Sequence, residues 1–253
     1  MNIRNYTRDK LYYLFSKLKS KLLHDISKLY VSAYNGENAP NMEINGEMKL
    51  IKSIREELEI VLDVGANCGD YSEFIYECNK KVKIHLFEPD DSNFSILKNK
   101  FSDIKHFKIN KLALGERKEM LRFYSDGVFS SFYGDKSSNR FFDVEVDTLD
   151  NYCASNHILN ISLLKIDVEG HELSVLKGSQ KMISDRKIRY IQFEFGNPST
   201  LSGVNFKDIY KLILGLSQDC KFFKITNSGL VPIVNYFPKL EKIELANFLI
   251  KFY

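Results

Sequence analysis

The sequence predicts an α/β domain with a mostly parallel sheet, and three observations carry that expectation. Short apolar runs alternate with helical stretches along most of the chain, the rhythm of strand–helix–strand units. The first of these runs ends in a glycine turn, Ile60-Val61-Leu62-Asp63-Val64-Gly65-Ala66-Asn67-Cys68-Gly69, which leads directly into a helix start. With 253 residues, 44% hydrophobic and 27% charged, the chain can build one main domain around a sizeable core.

At the N-terminus, Leu11, Leu14, Phe15, Leu18, Leu22, Ile26, Leu29 and Ala33 recur at three- and four-residue spacing, which predicts one amphipathic helix from Leu11 to Ala33. Lys10, Lys17, Lys19, Lys21 and Lys28 line its polar side. Such a helix suits packing on its own domain, a homodimer interface or peripheral contact with an anionic membrane. Asn35 to Gly46, with Pro40 and several Asn, reads as a loop. Residues 1–50 are accordingly an extension and 51–253 the main domain.

Beyond residue 51 the apolar runs 60–64, 83–87, 106–109, 162–168, 190–195, 222–226 and 247–252 predict strands. Helices are expected at 71–78, 92–101, 173–183 and 206–216. Met120 to Val146 alternates less cleanly and suggests a hairpin or loop insertion over the site. Ser130 and Ser131 sit there in a Gly-flanked stretch.

Gly65 allows a sharp turn and close approach of a ligand, and Gly69 allows close contact where the helix begins. The spacing is GxxxG and not the GxGxxG of a pyrophosphate cradle, so a nicotinamide or flavin dinucleotide is less well supported than an adenosyl group. Glu88 ends the second strand in Leu86-Phe87-Glu88-Pro89, where an acid can accept both ribose hydroxyls. Asp63 is suited to pin the turn by hydrogen bonds to loop groups. Together these features predict a Rossmann-like sheet.

Composition narrows the function further. A formal charge of +3 does not by itself imply a polyanion partner. The four cysteines, Cys68, Cys78, Cys153 and Cys220, form no CxxC pair, which argues against a zinc ribbon or a disulfide framework. The start lacks the apolar core of a signal peptide and no apolar run reaches the ~18 residues of a spanning helix, so a cytoplasmic location is the default expectation. His24, His85, His106 and His157 have no ligand spacing and are read as structural.

With these residues on the page, the chain resembles the FkbM family of methyltransferases. The resemblance rests on DVGANCGDYS at Asp63 to Ser72, FEPDDSN at Phe87 to Asn93, NKLALG at Asn110 to Gly115, VDTLD at Val146 to Asp150 and KIDVEGHELSVLKG at Lys165 to Gly178. It implies the class I sheet of seven strands, S-adenosylmethionine (SAM) as methyl donor, and a hydroxyl on a sugar or polyketide as acceptor. It also implies that Asp63, Gly65, Asn67, Gly69, Tyr71 and Ser72 contact or shape the methionine side, that Glu88 holds ribose, and that Asn110 and Leu112 flank adenine.

Methyl transfer to a sugar hydroxyl needs alignment and removal of a proton from a weak acid, by a base or with a metal ion. Lys165 and Asp167 sit two apart on an otherwise apolar strand, where paired charges call for a reason. Glu169 and His171 follow, and either suits a general base. Asp167, Glu194 and Asn197 offer three oxygen ligands for Mg²⁺ from neighbouring strand ends; alternatively, Asp167 caps the turn and pairs with Lys165. A nucleic-acid methyltransferase is disfavoured, because the chain lacks an Asn/Asp-Pro-Pro-aromatic motif and a strong basic field. A non-catalytic SAM-binding scaffold docking through the basic helix is the alternative to an enzyme.

Overall fold

The structure is a computed structural model that describes residues 3–18, 20–39, 41–124, 132 and 141–253. Ser130 and Ser131 lie outside the described residues. An eight-stranded sheet forms the centre, built from β1 (Ile60–Val64), β2 (Lys83–Phe87), β3 (Phe107–Asn110), β7 (Ile161–Ile166), β8 (Ile188–Gly196), β9 (Cys220–Thr226), β10 (Gly229–Ile233) and β11 (Leu245–Phe252). Its order is β10-β9-β11-β8-β7-β1-β2-β3. The pairs from β3 through β8 are parallel, while β11 runs antiparallel between β8 and β9. The seven-stranded core expected from the resemblance is therefore present, and the hairpin strand β10 adds an eighth at the edge. A smaller sheet is formed by β4 (Ala113–Leu114), β6 (Phe141–Asp147) and β5 (Glu119–Tyr124), and its antiparallel pair β5–β6 falls where a hairpin or loop insertion is expected from Met120 to Val146.

Helices cover both faces because the central strands are apolar on both sides. α4 (Glu47–Ile54), α5 (Asp70–Cys78) and α6 (Asp91–Phe101) pack one face, where Ile51, Ile75, Leu97 and Phe101 join Val61, Ile84 and Leu163. On the other, α7 (Leu149–Ser155), α8 (Glu172–Lys177), α9 (Gln180–Ser184) and α11 (Phe206–Leu216) bring Leu149, Val175, Ile183 and Ile213 against Leu62, Leu164 and Phe193. The short α10 (Asn197–Leu201) follows β8 directly. Caps fix where helices start. Asp90 accepts the amides of Ser92 and Asn93 at 2.8 and 3.2 Å and so begins α6 beside the end of β2.

Three expectations are corrected. The single helix from Leu11 to Ala33 is two, α1 (Ile3–Lys17) and α2 (Lys21–Asn35), because Ser20 adopts extended backbone and accepts the Leu23 amide as the N-cap of α2. The loop from Asn35 to Gly46 holds a helical turn, α3 (Met42–Asn45), capped by Asn41. The helix expected over 173–183 is broken into α8 and α9 at Gly178, whose added Cβ would lie 1.9 Å from the carbonyl oxygen of Gly115. No disulfide joins the four cysteines.

Candidate active site

The strand ends of β1, β2 and β7 open on one side of the sheet into two adjoining hollows. The first, about 740 Å³, is walled by Val64, Gly65, Asn67, Phe87, Glu88, Asn93, Leu112, Leu114, Phe123, Phe132, Asp167, Val168 and Glu169. The second is an open groove of about 1690 Å³ bounded by the glycine loop, Lys165, Glu194 and Asn247, and by Asn41, Glu43, Asn45 and Glu47 from the N-terminal segment. Gly65, Asn67 and Asp167 line both, so they form the wall the two spaces share.

Backbone geometry requires both glycines of the loop. Gly65 has φ +82°, and an added Cβ would lie 1.8 Å from the carbonyl oxygen of Asp167. Gly69 has φ +83°, and its Cβ would meet the Phe101 ring at 2.5 Å. Between them Asn67 takes the left-handed conformation at φ 48°, which Asn tolerates better than most residues. Beneath the loop, the buried Asp63 accepts the Ser72 hydroxyl at 2.7 Å, tying β1 to α5. Asp63 and Ser72 thus shape the loop from below rather than lining either hollow among the described residues.

Glu88 faces the first hollow. Its two carboxylate oxygens accept the amides of Asn67 at 2.8 Å and Asp90 at 2.9 Å, which fixes its rotamer and leaves lone pairs for a diol. Burial pushes its pKa up to about 7 despite those two hydrogen bonds. Leu112 lies in the wall with it. Asn110 does not: it donates to the Leu86 carbonyl at 2.9 Å and accepts the Tyr152 hydroxyl at 3.1 Å, which bolts β3 to β2 and to α7.

Lys165 is 6% exposed, so its charge must be answered internally. Its ammonium stands 2.9 Å from Asp167 and 3.8 Å from Asp63, and 4.8 Å above the ring of Tyr71. Burial alone would lower its pKa; Asp167, Asp63 and Glu47 more than reverse that and hold it above the ordinary value. Behind it runs a buried chain of hydrogen bonds that residue spacing alone does not disclose. The Tyr71 hydroxyl donates to Gln192 at 2.7 Å, and the Gln192 amide donates to Glu47 at 2.5 Å.

Asp167, Glu169 and Glu194 place one carboxylate oxygen each within 4.8 Å of one another. Burial and the neighbouring Asp167 push Glu169 up to about 7. Burial, then Asp167 and Glu169, hold Glu194 well above the usual carboxylate range. The turn that presents them is tight, with Glu169 at φ 51° and Gly170 at φ +102°. Glu172 secures it from inside, accepting the Gly170 amide at 3.0 Å and the Ser199 hydroxyl at 3.1 Å.

Two further candidates stand apart. Asn197 is exposed at the start of α10, where its amide donates to the Glu244 carbonyl. His171 is buried with its ring centroid 4.5 Å from that of Phe132, behind the hollow wall, and burial lowers its pKa to about 4. Sequence reading also passed over Asn93, Phe123 and Phe132 in the first hollow and Asn41, Glu43 and Asn247 in the groove. Asn93 lies inside the FEPDDSN motif, whereas the others come from segments with no motif.

A family model described as "Methyltransferase FkbM domain" matches residues 63–223. The chain is 21% identical over 204 residues to the 2-O-methyltransferase NoeI of Sinorhizobium fredii (strain NBRC 101917 / NGR234), covering 74% of this chain and 83% of that protein. It is 26% identical over 176 residues to the hexuronic acid methyltransferase AglP of Haloferax volcanii, covering 68% and 69%. Among solved structures, the methyltransferase FkbM from Methylobacillus flagellatus KT superposes with a TM-score of 0.50 at 18% identity, over 78% of this chain and 44% of that one, a likeness of fold. The first hollow fits the donor this family uses: apolar walls from Phe87, Leu112, Leu114 and Phe123 suit a purine, Glu88 suits a ribose diol, and Gly65 leaves room for close approach. From its strand-end glycine loop to its matched profile, the chain belongs to the FkbM family of SAM-dependent methyltransferases.

Proposed function

We propose that this protein O-methylates a hydroxyl of a sugar or glycan-related acceptor, and that the acceptor enters through the groove beside the glycine loop. The observation that carries this reading is the position of Asp167, which lines both the donor hollow and the groove. Bound SAM supplies an electrophilic methyl group on a sulfonium.

The chain's own residues supply alignment and proton removal. Lys165 holds Asp167 by the 2.9 Å ion pair, so that its second oxygen is presented to the shared space. Glu169, with a pKa near 7, is poised to take the hydroxyl proton at neutral pH, and Glu194 is close enough to share it. His171, neutral but behind Phe132, is the weaker base candidate. A second role for the cluster is favoured by its spacing: Asp167, Glu169 and Glu194 converge closely enough to hold one Mg²⁺. The acceptor reading takes its chemistry from one relative that is a 2-O-methyltransferase and one that is a hexuronic acid methyltransferase.

The catalytic unit of residues 51–253 is best extended to include residues 39–50. Among them Ala39, Asn41, Met42, Glu43, Asn45, Glu47 and Met48 line the groove, and Glu47 accepts from Gln192 inside the core.

The test is S-adenosylhomocysteine release from SAM across a panel of nucleotide sugars and glycosides, with Mg²⁺ added or chelated, for wild type, Asp167→Asn and Glu169→Gln. Turnover with a sugar that both variants abolish, while SAM binding persists, supports the reading. SAM binding with no turnover on any sugar turns it toward a SAM-binding scaffold. Activity that a chelator removes and Mg²⁺ restores favours the metal role.

A further inference from the structure

The helix α2 presents an uncovered apolar face. It has no buried residue, although Leu22, Leu23, Ile26, Leu29, Tyr30 and Tyr34 form one stripe along it at 48 to 80% exposure. Fifteen residues of well-capped helix with an uncovered apolar stripe are costly to leave in water, at about 25 cal/mol per Å² of apolar surface. On α1, Tyr12, Tyr13 and Phe15 are uncovered in the same way.

Charge decides what covers this stripe. Across residues 10–35 the sequence carries Lys10, Lys17, Lys19, Lys21 and Lys28 against the single acid Asp25. Lys21 and Lys28 are seven residues apart on the face of α2 opposite the stripe. An apolar face rich in leucine and tyrosine with lysines on its other side matches a helix lying in the plane of an anionic bilayer, its apolar side among acyl chains and its lysines reaching lipid phosphates. A second copy of the chain fits less well: stripe-to-stripe pairing would leave Lys21 and Lys28 on the outer faces with no acid of the partner to answer them, whereas an anionic surface answers the excess of four positive charges across residues 10–35.

The tether of α2 gives this docking a purpose. Just past its αL cap at Gly36, Glu37 pairs with Lys224 at 2.8 Å, the Asn38 amide donates to the Leu245 carbonyl at 2.9 Å, and its side chain donates to Glu244 at 2.5 Å. Leu245 and Ala39 line the acceptor groove. We propose that α2 is an in-plane membrane anchor for an anionic lipid surface, fastened at the rim of the groove so that catalysis takes place beside the bilayer. The anchoring itself goes beyond the methyltransferase reading, and the placing of catalysis beside the bilayer rests on that reading.

Co-sedimentation of the full chain with vesicles tests the proposal, using phosphatidylcholine alone and phosphatidylcholine mixed with phosphatidylglycerol. Wild type is expected to pellet with the anionic vesicles and to be released by high salt. Ile26→Glu/Leu29→Glu is expected to lose pelleting, and Lys21→Glu/Lys28→Glu to weaken it by about tenfold or more, at roughly 1 kcal/mol per lysine near the surface. Both variants are expected to keep SAM affinity, which shows that they remain folded. No pelleting of wild type with anionic vesicles overturns the proposal, as does equal pelleting by Ile26→Glu/Leu29→Glu. A dimer in solution that binds no vesicle also overturns it and assigns the stripe to a second copy.

Discussion

The ammonium of Lys165 lies 2.9 Å from Oδ2 of Asp167, so a charge on the penultimate residue of β7 and one just past its end neutralise one another at the wall the two hollows share. The same ammonium is 3.8 Å from the fully buried Asp63. Lys165→Met therefore strands two carboxylates at once. It is expected to destabilise the fold by about 3–5 kcal/mol, read as a fall in denaturant midpoint. Asp167→Asn keeps the lysine's other partner and is expected to fold while losing turnover.

Tyr71 lines the groove and also ties it to the core. Its hydroxyl donates to Gln192, which in turn bonds Glu47, so the line fixes the groove's N-terminal wall to the core. Tyr71→Phe leaves the Gln192 oxygen buried without its donor and is expected to cost about 1–3 kcal/mol in thermal or chemical unfolding. Unchanged stability would remove that line from the account.

The carboxyl of Glu172 is 2% exposed, and burial pushes its pKa up to about 7. Folded, it holds its proton more tightly than in the unfolded chain, where the value is near 4.5. Its contribution to stability is therefore present at low pH and lost as pH rises from 4.5 through 7. Glu172→Gln keeps an acceptor for the Gly170 amide without the ionisation. The variant is expected to be more stable than wild type at pH 8 by about 2 kcal/mol, and to converge with it near pH 5, in melting curves across that range.

Much of this was legible in the residues. The glycine loop, Glu88 and the Lys165-Asp167 pair are local: strand, turn and acid occur within a few positions, and their backbone demands leave a mark on residue type. The insertion between Met120 and Val146 was legible as to place but not as to which of its side chains reach the site; Phe132 closes over His171 only through folding. Glu169 joins Asp167 and Glu194 from a left-handed position, φ 51°, a conformation that its residue type does not announce. The helix break at Ser20 was hidden because the apolar spacing continues across it; the capping hydroxyl was the available signal. The groove wall from residues 41–47 was hidden by a segment rich in Asn and Gly that reads as a plain connection.

Donor binding should follow the state of Glu88. Its carboxylate must be ionised to accept a diol at full strength, and its pKa near 7 places that ionisation in the working range. SAM affinity is expected to weaken as pH falls from 8 to 6, by at most about tenfold per unit, and to be flat over this range in Glu88→Ala.

Calorimetric titration of SAM into wild type and Glu88→Ala at pH 8 tests the central claim most directly. The account predicts saturable binding to wild type, weakened about 10- to 100-fold in Glu88→Ala by loss of charge-assisted hydrogen bonds to the ribose. Equal affinity in the two folded proteins, or no binding to wild type, would contradict it.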